Sequence, residues 1–240
     1  RDPETGCPWD IKQSFSSIVP YTIEEAYEVA DAIEKGDMQD VQEELGDLLF
    51  QVIFYARLGE EQQLFNFEQI AEVIGEKLIR RHPHVFDDAN LMTVEEIKAN
   101  WENEKAKERD QKANGSARLL DNVPASLPAL SRAYKIQKRC ASVGFDWTDI
   151  NNVFDKVYEE LDEIKAELVR EEISQAAIED ELGDLMFAVV NLARHLKSKP
   201  EDVLRHANIK FEKRFNKVED HFKRLETDLN DVSLDEMEAV

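Results

Sequence analysis

An internal repeat restricts this chain more than any other feature. Residues 43–50, Glu-Glu-Leu-Gly-Asp-Leu-Leu-Phe, align with residues 180–187, Asp-Glu-Leu-Gly-Asp-Leu-Met-Phe, with six of the eight positions identical. Val52, Ala56 and Arg57 recur in the same register as Val189, Ala193 and Arg194. Upstream, Glu24-Glu25-x-x-Glu28 matches Glu159-Glu160-x-x-Glu163. Downstream, Lys77-Leu78-x-Arg80-Arg81 matches Lys210-Phe211-x-Lys213-Arg214. Three matches in one order make coincidence a poor explanation, and self-similarity of this kind sets the architecture before any single motif is read. The chain must fold as two copies of one unit.

That unit is helical. Only 8 Gly and 7 Pro occur in 240 residues, and they cluster at boundaries. Thr22-x-x-Glu25, after Pro20, reads as a capping box and Gly36 as a C-cap, predicting a helix over 22–35. Asp37 can cap a second helix running to Leu58, in which Leu45, Leu48, Leu49, Val52 and Ile53 form one apolar stripe at i, i+3, i+4, i+7, i+8. Asn66 opens a third helix ending near His82-Pro83, and Thr93-x-x-Glu96 opens a polar fourth through Lys112. Residues 113–128, with Gly115, Pro124 and Pro128, read as a linker. Helical patterning resumes over 127–141 with a stop near Gly144, over 149–170 after Thr148, over 175–197 after Ser174, and over 200–225. No run alternates as a strand would. The expectation is an all-α protein of two tandem four-helix-bundle-type domains, residues 1–118 and 119–240.

Charge narrows the partners. Asp and Glu number 52 against 30 Lys and Arg, a formal charge of −22, which disfavours nucleic acid or an anionic membrane surface, since both call for a positive face. No apolar run approaches the roughly 20 residues of a membrane span, and no stretch reads as a signal peptide. Cys7 and Cys140 are the only cysteines, too few and too far apart for a disulfide framework or a cysteine zinc site. The expectation is a soluble protein of a reducing compartment, the cytoplasm. The chain opens at Arg1 without Met and closes just after a helix-start pattern, Ser233…Glu236, so it is read as a segment.

The recurring carboxylates carry the chemistry. Residues three apart share a helix face, so Glu25 and Glu28 form one pair and Glu44 and Asp47 another. Both pairs flank their helix's apolar stripe, which turns them toward the partner helix. If the helices pack antiparallel through Gly36, the four carboxylates converge, and Glu160, Glu163, Glu181 and Asp184 repeat the arrangement. Two like charges at about 4 Å repel by roughly 4 kcal/mol at an effective dielectric near 20. Such a quartet therefore either raises its pKa values or binds a divalent cation. All-oxygen donors favour Mg²⁺, with Mn²⁺ as the substitute, and no Glu-x-x-His supports a di-iron bundle. One such pair alone in so acidic a chain would be a solvated helix face; two copies of the quartet reverse that reading. Gly46 and Gly183, inside helices, point to close approach of another helix or a ligand.

Lys210, Lys213, Arg214 and Lys217 fall at i, i+3, i+4, i+7, a cationic stripe on an anionic protein. Mg²⁺ on carboxylates opposite Lys and Arg is a recurring way to hold a polyphosphate. Lys156 shares a face with Glu160 and can also reach a phosphate, whereas the first copy has Tyr21 there. Trp9 and Trp147 read first as hydrophobic anchors and second as stacking surfaces for a base. His82 and His84, around Pro83, read as a structural turn.

Taken together, Glu-x-x-Glu followed by Glu-x-x-Asp on consecutive helices, in tandem copies, with Cys7-Pro8-Trp9-Asp10 near the start and Arg81-His82-Pro83-His84-Val85-Phe86 closing the first basic helix, resembles the MazG family of all-α nucleoside triphosphate pyrophosphohydrolases. The likeness spans essentially the whole chain. It implies helical bundles paired as homodimers, Mg²⁺ dependence, and hydrolysis of NTPs and dNTPs to monophosphate and pyrophosphate. It implies metal ligation by Glu160, Glu163, Glu181 and Asp184, and by Glu25, Glu28, Glu44 and Asp47 in the first copy. It implies nucleotide contacts at Lys156, Lys210 and Arg214. The second copy is the expected catalytic one. Two other readings stay open: a relative restricted to dUTP, dCTP or phosphoribosyl-ATP, and a non-catalytic module that holds Mg²⁺ or senses nucleotide.

Overall fold

The computed structural model describes residues 1–87, 93–112 and 118–240, without the side chains of 109–112. Every regular element among them is a helix: α1 (Pro8–Ile11), α2 (Phe15–Lys35), α3 (Met38–Glu61), α4 (Phe67–Arg81), α5 (Pro83–Phe86), α6 (Val94–Lys112), α7 (Ala129–Ala141), α8 (Ile150–Leu168), α9 (Gln175–His195), α10 (Pro200–Arg224), a 3₁₀ turn at Leu229–Asp231, and α11 (Leu234–Glu238). The all-α expectation holds. The chain divides into two compact units, Arg1–Glu108 and Arg109–Val240. Residues 113–117 of the expected linker, Gly115 included, lie outside the described residues, and 118–128 run through turns into α7.

Helix boundaries follow side chains that satisfy the first free N–H groups. Asp37 caps α3, Ser174 caps α9, and Asn66 with Gln69 forms a capping box for α4. Gly36 ends α2 at φ 77°, a left-handed conformation open to glycine. Two starts differ from the expectation. Asp149, not Thr148, caps α8. Helix α2 begins at Phe15, seven residues before Thr22, because Ser14 and Ser17 form the capping box. Pro20 therefore lies inside the helix, and Thr22 Oγ1 instead donates to Ile18 O at 3.2 Å and sits 3.0 Å from Tyr55 Oη on α3.

Each unit is organised around one helical hairpin, α2 with α3 and α8 with α9. The turn Gly36-Asp37 makes the first pair antiparallel, as expected. The face of α3 that meets α2 is not the apolar stripe, however. At about 100° per residue, Glu44, Asp47, Gln51, Phe54 and Leu58 share one face, and Leu45, Leu49, Val52 and Ile53 lie on the other side. Gln51, Phe54 and Leu58 are buried, and Ile18, Phe54 and Leu58 form a small core with Phe15 and Tyr55 against it. Leu45, Leu49 and Ile53 each stay about half exposed. The same holds on α9, where Ala188, Val190 and Asn191 are buried but Leu182, Met186 and Val189 are exposed. A Cβ added at Gly46 or Gly183 would meet nothing within 4 Å. The close approach expected at these glycines therefore does not occur among the described residues.

Candidate active site

The hairpins bring the predicted carboxylates together in both copies. Glu25, Glu28 and Glu44 each offer an oxygen within 4.8 Å of the others, and so do Glu160, Glu163 and Glu181. Asp47 and Asp184 lie outside these two trios. Asp47 still acts on Glu25 and Glu44 through its charge, and Asp184 borders a cavity described below.

Electrostatics separates the copies. Glu25 is pushed above the ordinary carboxylate range by burial and by the Asp47 charge, opposed by Gln51, whose Nε2 donates to Glu25 Oε1 at 3.2 Å. Burial, with Glu28 and Asp40 nearby, also raises Glu44. Tyr21 stands in the register of Lys156, so among the described residues no lysine forms an ion pair with Glu25, Glu28 or Glu44; Lys35, paired with Asp31, feels the Glu44 charge from farther off. In the second copy Lys156 Nζ lies 2.6 Å from Glu160 and 3.1 Å from Glu159, and that contact raises the lysine's own pKa. Glu163 is raised by its hydrogen bond to Glu160, by burial and by the charges of Glu160 and Glu181, with Lys156 opposing. Glu160 is 3% exposed, and its Oε2 has no hydrogen-bond partner.

A buried carboxylate oxygen without a partner is costly. Three converging carboxylates, one holding such an orphan, are the donor set that a hard divalent cation takes. The residues present fit that ion.

Beside the second cluster lies a cavity of about 380 Å³. Glu160, Asp184 and Lys156 border it, and its remaining wall comes from α7, α8, α9 and the turn before α8: Ile136, Phe145, Trp147, Val153, Phe187, Ala188 and Asn191 among others. Trp147 thus faces an opening and remains 42% exposed, whereas Trp9 packs edge-on against Tyr21 at 5.6 Å. Register alignment explains why the first copy differs. Gln51 and Phe54, both buried, stand where the second copy has Ala188 and Asn191. Both are bulkier than the residues they match, so the second copy has less side-chain volume on this face. These wall residues escaped the sequence reading. Their signal was present as a loss of bulk at two positions of an otherwise matching repeat.

The basic stripes diverge as well. Arg80 and Arg81 both bind Glu108 of α6, at 2.5 and 2.6 Å, and Trp101 Nε1 donates to Arg81 O at 2.8 Å. His82 accepts a place in this turn, with Nδ1 2.7 Å from Leu78 O and its ring edge-on to Trp101, as a structural turn would have it. The matching Lys213 and Arg214, with Lys210, are exposed and make no hydrogen bond or ion pair among the described residues; none of the three lines the cavity. The hairpin does not bring them to their own carboxylates.

Comparison with known proteins covers the same residues. A family model described as the MazG nucleotide pyrophosphohydrolase domain matches residues 13–86 and again 149–219, one match per hairpin. A nucleoside triphosphate pyrophosphohydrolase of Escherichia coli is 54% identical over 240 residues, covering all of this chain and 90% of that protein. A nucleoside triphosphate pyrophosphohydrolase/pyrophosphatase MazG of Thermotoga maritima is 44% identical over 220 residues, 92% of this chain and 81% of its own length. The crystal structure of a mazG-related protein from Thermotoga maritima aligns with a TM-score of 0.37 and 28% identity, over 42% of this chain and 88% of that one. With the family matched across both copies and relatives matched over most of their length, the chain belongs to the MazG nucleotide pyrophosphohydrolase family.

Proposed function

We propose that this chain hydrolyses nucleoside and deoxynucleoside triphosphates to the monophosphate and pyrophosphate, with Mg²⁺ as cofactor, Mn²⁺ able to replace it, and a broad range of bases. The role is house-cleaning of unwanted nucleotides in the cytoplasm. The second domain, residues 119–240, is the catalytic one. The observation that carries this reading is that Glu160, clustered with Glu163 and Glu181, borders a largely apolar cavity together with Asp184 and Lys156. Phosphate chemistry and a place for a base lie side by side.

Glu160, Glu163, Glu181 and Asp184 would hold the cation, which supplies charge neutralisation and polarises a phosphoryl oxygen. Water attacks the α-phosphorus, the α–β anhydride bond breaks, and pyrophosphate departs. A carboxylate of the cluster accepts the water's proton. Lys156, which rests on Glu160, would bind phosphate from the edge of the same cluster. Lys210, Lys213 and Arg214 offset the charge on the leaving group. Since they do not reach the cluster within the hairpin, we place them opposite the carboxylates of a second chain in a homodimer. The exposed stripes of α3 and α9 and the two open glycine positions support such a partner.

Glu25, Glu28, Glu44 and Asp47 would form a second cation site without turnover. Three observations favour a non-catalytic first copy: Tyr21 in place of Lys156, Gln51 and Phe54 where the cavity would be, and Arg80 and Arg81 tied to Glu108. Phosphorus NMR of dATP or dUTP with the protein and Mg²⁺ tests the reaction: monophosphate with pyrophosphate supports it, and diphosphate with orthophosphate rejects it.

A further inference from the structure

The cavity wall holds a polar group that the reaction above does not use. Asn191 is only 7% exposed. Its Oδ1 lies 3.2 Å from Arg194 Nε and 2.7 Å from Arg194 Nη2. A guanidinium has no acceptor, so the amide oxygen must face it and the amide nitrogen must face away. Arg194 is fixed in turn by Asp146, through Nη1 to Oδ2 at 2.8 Å and a second bond from Nη2 to Oδ1. Arg194, together with His195, holds the Asp146 carboxyl below the ordinary range, so the clamp stays charged. Asn191 Nδ2 donates to nothing among the described residues and is not among the side-chain atoms shut off from solvent. Because the residue is otherwise buried and lines the cavity, we infer that its N–H groups open into that cavity.

Position on α9 adds the scale. Asp184, Ala188 and Asn191 follow at i, i+4, i+7 and share one face. Seven residues of helix span about 10 Å, so the amide stands two turns from the carboxylate, as a base stands away from its phosphates. Ala188, between them, leaves the space clear.

We propose that Asn191, held as a donor by Arg194 and Asp146, reads the edge of the base and favours a carbonyl there over an amino group. Uracil, guanine and hypoxanthine present that acceptor. Cytosine and adenine present N–H₂ at the same position and leave the buried donor facing another donor, a mismatch that costs more than a missing bond. The mostly apolar wall still admits every base, so the effect is a graded preference within a broad range. This inference rests on the proposed triphosphate reaction and names its specificity residue.

The test uses substrate pairs that differ at that edge, dUTP with dCTP and dITP with dATP, with kcat/KM measured for the intact chain and for Asn191→Asp and Asn191→Leu. The unmodified protein should favour the keto member of each pair by about tenfold. Asn191→Asp is isosteric, still faces Arg194, and turns the donor into an acceptor, so the ratio should fall to one or invert. Asn191→Leu should bring it to one by slowing the keto substrates alone. Equal rates within each pair for the unmodified protein would overturn the proposal. So would an equal loss on all four substrates in both variants, which is the signature of a packing role. Should no nucleotide release pyrophosphate, the reaction itself fails. Titration calorimetry with the α,β-imido analogues of dUTP and dCTP then decides the inference separately: a keto preference lost in Asn191→Asp supports it, and equal affinities overturn it.

Discussion

Lys156 and Tyr21 occupy one register of the repeat, and the lysine's charge acts on Glu159, Glu160 and Glu163. In the second copy an ammonium sits on Glu160, whereas in the first an amide, Gln51, is what Glu25 has. Glu163→Gln should therefore lower turnover by about 10²- to 10³-fold while circular dichroism keeps its helical signal, and normal turnover would move the reaction elsewhere. Glu28→Gln, in the copy with Tyr21 in place of Lys156 and the buried Gln51 and Phe54 in place of Ala188 and Asn191, should cost less than about tenfold by the same measure. The raised carboxylates add a pH dependence. Glu25, Glu44 and Glu163 hold protons more tightly when folded than unfolded, so their contribution favours the native state at low pH and is lost as pH rises through the folded values. A cation answers the repulsion that remains. The rise in melting temperature with Mg²⁺ should thus be larger near pH 7.5 than near pH 5; an equal rise at both would argue against converging ligands.

Glu108 of α6 holds the C-terminal end of α4. Glu108 accepts from Arg80 and Arg81, and their hydrogen bonds carry its pKa from the ordinary 4.5 down to about 2. The group stabilises the fold at pH above 4.5, and that contribution disappears as pH falls from 4.5 toward 2. Glu108→Gln should cost about 1 kcal/mol at neutral pH, a small figure because Arg80 is half exposed and water screens it. Urea unfolding at pH 7 and pH 3 would check this, with the difference between the two proteins shrinking at the lower pH. Much of the element scale was legible in advance. Asp37, Asn66, Thr93 and Ser174 each cap the helix they were expected to open, since a cap is a contact within three residues. Helix α2 was misplaced at its start because Thr22-x-x-Glu25 imitates a capping box, while the Ser14–Ser17 pair that forms one lies farther upstream.

For the whole molecule the unresolved business is on the surface. Apolar side chains at Leu45, Leu49, Leu182 and Met186 remain half exposed, and Phe211 and Phe215 stack at 6.0 Å between the cations of α10. Under the proposed homodimer, these surfaces meet a second chain and the basic stripe serves that chain's carboxylates. Coexpressing Glu163→Gln with a Lys210→Ala/Arg214→Ala chain should then restore about a quarter of normal turnover, since half the dimers are mixed and each has one intact site. Two variants that stay inactive together would place the stripe and the carboxylates in the same chain. Light scattering should give twice the 27.7 kDa of one chain.

The repeat, the helices and the family were determined by the sequence alone. Identity at matching register, caps within a few residues and carboxylates three apart are all local relations along one chain. Which face of α3 meets α2 was decided only in three dimensions. Apolar spacing alone pointed to Leu45, Leu48, Leu49, Val52 and Ile53, of which only Leu48 is partly buried, yet Gln51, Phe54 and Leu58 are the residues that are fully buried, because a helix shows several apolar positions and tertiary contact chooses among them. The cavity likewise exists only once α7, α8 and α9 surround the space that Ala188 leaves. The distance from the basic stripe to the carboxylates depends on helix packing too, and no spacing in the sequence encodes it.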